Sequence, residues 1–235
     1  MHIALITVAA GSGARFRTSD AGGRFLPGCD KLWLELGGEP LFIRSLRNLG
    51  PVCTPGCVII AVAPSRIAEF GEAVKNAELP FEVKIVAGGE CRAQSVANAL
   101  AALELEDGIV GIHDAARPLA DAELFSALCR AAQEEHPCGV IPASRAADTL
   151  KMITPDGFVA GDADRNLTVL VGTPQVFPVK ELRQAQAFAG KNVFTDDAGL
   201  FLAAGYRVKI LFSDRPNVKI THPGDWELIK KLAEN

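Results

Sequence analysis

The sequence predicts an open, mostly parallel α/β sheet with helices on both faces and a β-arm projecting from it. Continuous apolar, β-branched runs recur along the chain, and stretches with helical periodicity lie between them. A third observation, a break in this rhythm over 143–172, supplies the arm. With 235 residues, 49% of them apolar and 22% charged, the chain can bury a core, and one domain over 1–235 is expected.

The apolar runs at 3–8, 58–62, 83–86, 109–112 and 139–142 are too continuous to have one wet face, so each reads as a strand buried on both sides. Between them, 41–49, 65–77, 93–103 and 121–135 repeat apolar residues at helical spacing, the last opening on Asp121 as an N-cap. Strand–helix alternation places the strands in parallel, with crossover helices covering both faces. Ligands in such sheets sit beyond the carboxyl ends of the strands, so sites are expected just after the runs.

Residues 143–172 carry charge and the turn formers Thr154-Pro155-Asp156-Gly157 between two short segments, 149–153 and 158–161, with a further apolar run at 167–171. This reads as a β-hairpin arm. The α/β pattern resumes with helices at 179–189 and 197–204, a strand at 207–212 and a closing helix at 225–233.

Composition excludes several functions. Twenty-four Lys and Arg against 28 Asp and Glu, a formal net charge of −4, leave no basic excess for a nucleic-acid polymer. The longest apolar runs fall far short of the roughly 20 residues that cross a bilayer, so no membrane partner is expected. With no basic segment before the first strand pattern, the reading places the protein in the cytoplasm. Six scattered cysteines in a domain of this size read as free thiols, and the Cys53/Cys57 pair lacks the companion ligands of a zinc site.

The chemistry-bearing motifs follow the strands. After the first comes Ala9-Ala10-Gly11-Ser12-Gly13-Ala14-Arg15-Phe16, a turn whose N–H groups can cradle phosphates while Arg15 adds charge. Phe16 in place of a third glycine, and no acid after the second strand, argue against a dinucleotide fold. Lys31 follows in Cys29-Asp30-Lys31-Leu32-Trp33, and Gly88-Gly89-Glu90-Cys91-Arg92-Ala93-Gln94-Ser95 follows the third strand. Gly88-Gly89 lets backbone approach a ligand, or simply turns the chain, with Ser95 a helix-start residue. His113-Asp114-Ala115-Ala116-Arg117-Pro118 follows the fourth strand. Asp114 at a strand's carboxyl end suits a Mg²⁺ (or other divalent) ligand facing a triphosphate, or a turn salt bridge with Arg117, and His113 reads as structural.

Together these segments, with D-T-L-K and D-R-N in the arm, T-P-Q-V-F, F-T-D-D-A and N-V-K-I-T, resemble the 2-C-methyl-D-erythritol 4-phosphate cytidylyltransferases of the nucleotidyltransferase superfamily over nearly the whole chain. The resemblance implies a Rossmann-like α/β sheet, CTP and a polyol phosphate as substrates, a divalent cation, and a homodimer through the arm. It implies Arg15, Lys31 and Lys219 as catalytic cations. Nucleotide contacts are implied at Ala9, Ala10, Gly11, Gly13, Gly89, Glu90, Ser95, Asp114 and Arg117, and acceptor contacts at Thr149, Arg165 and Thr173. The chain departs from the family pattern in an apparent insertion at 17–27, which leaves Arg15, Arg17 and Arg24 as alternatives for the phosphate contact. It departs also in Lys31-Leu32-Trp33 where K-Q-Y is usual, and in lacking an acid at 199–202. A ribitol 5-phosphate cytidylyltransferase and a non-catalytic nucleotide-binding regulator are the alternative functions.

Overall fold

The structure is a computed structural model, and it describes residues 1–11, 16, 30–190, 192 and 194–234. Strands β1 (Ile3–Ala9), β4 (Val58–Val62), β5 (Lys84–Ala87), β6 (Ile109–Asp114), β7 (Gly139–Arg145), β10 (Val169–Val171), β11 (Gln175–Pro178) and β12 (Val208–Phe212) form one sheet. Two short pairs stand apart, β2 (Glu35–Leu36) with β3 (Glu39–Pro40), and β8 (Lys151–Ile153) with β9 (Val159–Asp162). The sheet order is β10-β7-β11-β6-β1-β4-β5, with β12 joined to β7. The β6-β1-β4-β5 section is parallel throughout, and Ile6 pairs with Ile59 on one side and Ile112 on the other.

Alternation along β1 explains its unbroken apolar run. Leu5 enters a core with Ile60, Phe42 and Phe125, whereas Ala4 and Ile6 enter a second core with Ile59, Ile112 and Phe177. Helices α1 (Leu41–Leu49), α2 (Ile67–Asn76) and α4 (Ala122–Glu134) supply the first core, through residues such as Phe42, Phe70 and Phe125. Helices α3 (Arg92–Ala101), α5 (Val179–Ala189) and α6 (Asp197–Ala203) cover the other face with Val96, Leu182 and Phe201. Asp121 caps α4 as expected, its carboxylate accepting from Leu124 N–H at 2.8 Å.

Three expectations change. The 83–86 run is not buried on both sides: β5 is the sheet edge, with Ile85 and Val86 half-buried and Lys84 and Ala87 exposed. The 167–171 run ends in β10, which returns to the main sheet antiparallel to β7. And β11, absent from the sequence reading, inserts antiparallel between β6 and β7, with Val176 opposite both Gly111 and Val140. Four residues ending in proline carry too little periodicity to be recognised without the strands that flank them.

The β8–β9 hairpin is as expected and presents apolar residues to solvent: Ile153 is 68% exposed, Phe158 70% and, just beyond the hairpin, Leu167 86%. Among the described residues no helix is long and apolar enough to cross a membrane.

Candidate functional site

The carboxyl ends of β1, β5 and β6 open on a cleft of about 490 Å³ lined by Ala9, Ala10, Gly11, Lys31, Gly89, Glu90, Arg92, Ser95, Asp114 and Lys219, among others. Crossover topology brings these loops to one edge, as the parallel-sheet argument requires. The β1 and β5 loops touch there: a Cβ on Gly88 would lie 2.5 Å from Ala10 Cβ and 2.9 Å from Ser95 Oγ, so only glycine allows the approach. The Ser95 hydroxyl accepts from Gly89 N–H (3.0 Å) and donates to the Cys91 carbonyl (3.0 Å), which makes it a strut beneath the turn.

Lys219 reaches the cleft because its neighbours are anchored. Ile220 is fully buried with Leu41, Trp226 and Ile229 of a third core that includes α7 (Pro223–Ala233), and its N–H donates to the Ala116 carbonyl at 2.9 Å. The Lys219 ammonium then stands 2.7 Å from Asp114 Oδ2. Lys31, on a short 3₁₀ turn (Lys31–Trp33), donates to the Ile220 carbonyl at 2.6 Å from the other side.

Asp114 is held by more than Lys219. Arg92 Nε lies 3.2 Å from its Oδ1, and Arg117 Nε 3.8 Å from its Oδ2. Burial pushes the Asp114 carboxyl up, but the charges of Arg92 and Lys219 outweigh burial and hold it well below the usual carboxylate range. Arg92 also grips Asp197 at 2.7 Å, a carboxylate only 2% exposed, whose burial raises its pKa despite that partner. In this network Arg92, Arg117 and Lys219 face Asp114 and Asp197, a positive excess suited to a polyphosphate.

Behind Asp114, His113 is fully buried, and burial pushes its imidazole down to about 4. Its Nε2 is 3.2 Å from the Arg117 carbonyl and must carry the proton there, so Nδ1 accepts from the Thr173 hydroxyl at 3.0 Å. The same hydroxyl accepts from Asp114 N–H at 3.0 Å. His113 is therefore structural, as expected, and it locks Thr173 against the backbone that presents Asp114.

A second groove of about 380 Å³ shares Lys219 with the first cleft and is lined also by Arg117, Asn217, Arg215, Ser144, Ser213, Pro142 and Val171. Arg117 thus lines this groove rather than the first cleft, and it donates to the Asn217 carbonyl at 2.7 Å. Thr149 and Arg165 are exposed on or beside the arm and line neither space. Gly13, Arg15, Arg17 and Arg24, with the 17–27 segment, lie outside the described residues.

Arg92, which lines the cleft and joins Asp114 to Asp197, is the member of the network that sequence reasoning passed over. A signal existed: an arginine in the first turn of a helix opposes the macrodipole, which implies an acidic partner.

Among the described residues no group of three His, Cys, Asp or Glu gathers as a metal cage. The donor set suits Mg²⁺ arriving with a nucleotide, since that ion takes one or two carboxylates, keeps waters and relies on substrate phosphates. Asp114, held as a carboxylate and lining the cleft, is the residue that would hold such an ion.

A profile of the family described as 2-C-methyl-D-erythritol 4-phosphate cytidylyltransferase (IspD) matches residues 3–234. A protein of that name from Acidobacterium capsulatum is 35% identical over 234 residues, covering 97% of this chain and 95% of the relative. Another from Symbiobacterium thermophilum is 36% identical over 234 residues, covering 99% and 93%. The crystal structure of 2-C-methyl-D-erythritol 4-phosphate cytidylyltransferase from Thermus thermophilus covers 100% of both chains at 29% identity, with a TM-score of 0.75.

Proposed function

The chain belongs to the 2-C-methyl-D-erythritol 4-phosphate cytidylyltransferase family, and on that premise we propose that its cleft transfers CMP from CTP to the 4-phosphate of methylerythritol phosphate. An acceptor phosphate oxygen attacks the α-phosphorus of CTP, the bond from that phosphorus to the bridging β-phosphate oxygen breaks, and pyrophosphate leaves with the electron pair. A phosphate monoester is already an anionic nucleophile, so no general base is needed. The protein's task is to align anions and neutralise a crowded transition state.

The observation that carries this reading is the Lys219–Asp114–Arg92 network at the carboxyl edge of the parallel strands, flanked by Gly11 and by the Gly88-Gly89 turn. In the proposal the backbone of Ala9, Ala10, Gly11 and Gly13 cradles the nucleotide, and Gly89 and Glu90 meet the cytidine over the Ser95 strut. Lys31, Lys219 and Arg15 hold the phosphates. Asp114 would hold Mg²⁺ or another divalent cation, which when bound neutralises triphosphate charge. Lys219 and Arg92, which now pair with Asp114, would turn toward the phosphates of a bound substrate and leave the carboxylate free to hold the ion.

The acceptor is proposed to enter by the adjoining groove, where Arg117 and Asn217 offer polar contacts and Pro142 and Val171 apolar ones. Thr173 lines neither space: it is buried behind the groove-lining Gly172, and its hydroxyl holds His113. Thr149 and Arg165 are proposed to complete the partner subunit's acceptor site across a two-fold homodimer. The exposed apolar residues of the arm support this, because a two-stranded hairpin with such a surface is stabilised by burial against another chain. The free thiols of Cys53, Cys57, Cys91, Cys129 and Cys138 support a cytoplasmic setting.

Steady-state pyrophosphate release with methylerythritol phosphate and with ribitol 5-phosphate tests the acceptor assignment. The proposal expects the higher kcat/KM for methylerythritol phosphate, because a site built around one set of hydroxyls penalises an acceptor that leaves its groups unpaired. Equal efficiency would reassign the substrate.

A further inference from the structure

We infer that Arg66 is a positioning residue for the reaction, acting through Lys31; this rests on the phosphate-holding role proposed for Lys31. A 3₁₀ turn of three residues, Lys31–Trp33, is too short to fix a side chain by its own hydrogen bonds. The Ile220 carbonyl receives the Lys31 ammonium, but the backbone position from which Lys31 reaches it is set from outside the turn.

Arg66 holds the turn at both ends. Asp30 caps it, with Oδ1 accepting from Leu32 N–H at 3.0 Å and its carbonyl accepting from Trp33 N–H at 3.0 Å. The other carboxylate oxygen of Asp30 accepts from the Arg66 guanidinium. At the far end, the same guanidinium lies 5.5 Å from the centre of the Trp33 ring and 5.0 Å from that of Phe70. Trp33 in turn packs on Phe42 and Phe70 at 5.3 and 5.4 Å.

Arg66 is itself fixed. Its Nε and a terminal nitrogen bond Glu69 at 2.7 and 3.0 Å, and its backbone N–H donates to the Ala63 carbonyl at 2.8 Å, just past the end of β4. The guanidinium therefore ties the Lys31 turn to the central sheet. A planar, delocalised group does this where an ammonium cannot, because one fork engages two carboxylates while its face covers an aromatic ring. The pair is partly exposed, so it adds little to global stability. Its effect is on where Lys31 stands, and small displacements of a catalytic group are costly in rate.

The test is steady-state kinetics with CTP and methylerythritol phosphate for Arg66→Ala, Arg66→Lys, Lys31→Ala and both Arg66 changes combined with Lys31→Ala, alongside urea unfolding. Arg66→Ala should lower kcat by about 10- to 100-fold, with KM for CTP within about threefold. Arg66→Lys should recover part of the loss. Neither change should cost more than about twofold further once Lys31 is already alanine, because a residue that acts through Lys31 has nothing left to position.

A kcat within threefold of wild type for Arg66→Ala, or a loss that multiplies onto that of Lys31→Ala, overturns the inference. If Arg66→Ala does not fold, Arg66→Lys is judged alone: a loss that disappears in the Lys31→Ala background supports the inference, and one that persists or never occurs overturns it. Near wild-type turnover by Lys31→Ala would overturn the role of Lys31 itself, a different result from a crippled Lys31→Ala beside an intact Arg66→Ala.

Discussion

The Lys219 ammonium sits 2.7 Å from Asp114 Oδ2, although the two residues lie 105 positions apart. Ile220, buried in the third core and bonded to the cleft-lining Ala116, anchors the neighbouring Lys219, so core packing at the rim of the cleft fixes the charge at its centre. Lys219→Ala should therefore fold and bind CTP weakly, with kcat/KM reduced by about 10²- to 10³-fold, on the scale of losing one preorganised donor. Turnover near wild type would remove Lys219 from the reaction.

Asp114→Asn keeps the side chain's shape and removes its charge. Turnover should fall by at least about 10²-fold, with partial recovery as Mg²⁺ is raised, while far-UV circular dichroism stays unchanged. Wild-type activity across a magnesium titration would reduce Asp114 to a salt-bridge partner of Arg117.

Arg92→Met strands the buried Asp197 carboxylate without its cation. The expected loss is about 3–5 kcal/mol in urea unfolding, because removing one member of a buried pair leaves an uncompensated charge. Adding Asp197→Asn should restore part of that stability. A single variant as stable as wild type would show that Asp197 is not held as an ion.

How much of this was legible beforehand depends on whether the signal is local. The doubly buried runs of β1, β4 and β6 are visible because each residue faces one of two cores, leaving no polar position to interrupt them. The glycine turn at Gly88, Asp114 at a strand end and the β8–β9 hairpin are likewise local patterns. The strand β11 was not visible, because its identity comes from lying between β6 and β7. Nor was the pairing of Arg92 with Asp197, which are brought together only by the packing of α3 and α6 on one face of the sheet. Lys219 was reached through resemblance alone, since nothing in Asn217-Val218-Lys219 marks a lysine as facing a cleft.

Cysteine labelling offers a check that does not depend on turnover. Cys91 is exposed and lines the cleft proposed to take CTP, whereas burial pushes the Cys129 thiol up to about 12. A thiol reagent at pH 8 should modify Cys91 in the native protein and reach Cys129 only on unfolding. Saturating CTP with Mg²⁺ should slow Cys91 labelling by about tenfold or more relative to the free protein. Unchanged labelling would place the nucleotide elsewhere.

The arm is proposed to act across the dimer, so Lys31→Ala and Arg165→Ala homodimers should each be nearly inactive. Co-refolding them in equal amounts gives mixed dimers in which one site collects both lesions and the other neither. About a quarter of wild-type activity should return. No recovery despite demonstrated heterodimers would return Arg165 to its own subunit.

The transfer itself is tested most directly by following CTP, Mg²⁺ and methylerythritol phosphate with the wild-type protein by ³¹P nuclear magnetic resonance. Attack on the α-phosphorus predicts that the triphosphate and monoester signals decline together. One pyrophosphate and one asymmetric diphosphate, seen as a pair of coupled doublets, should appear per CTP consumed, and neither when the acceptor is omitted. Inorganic phosphate or free CMP as the main product, or no change at all, would contradict cytidylyl transfer.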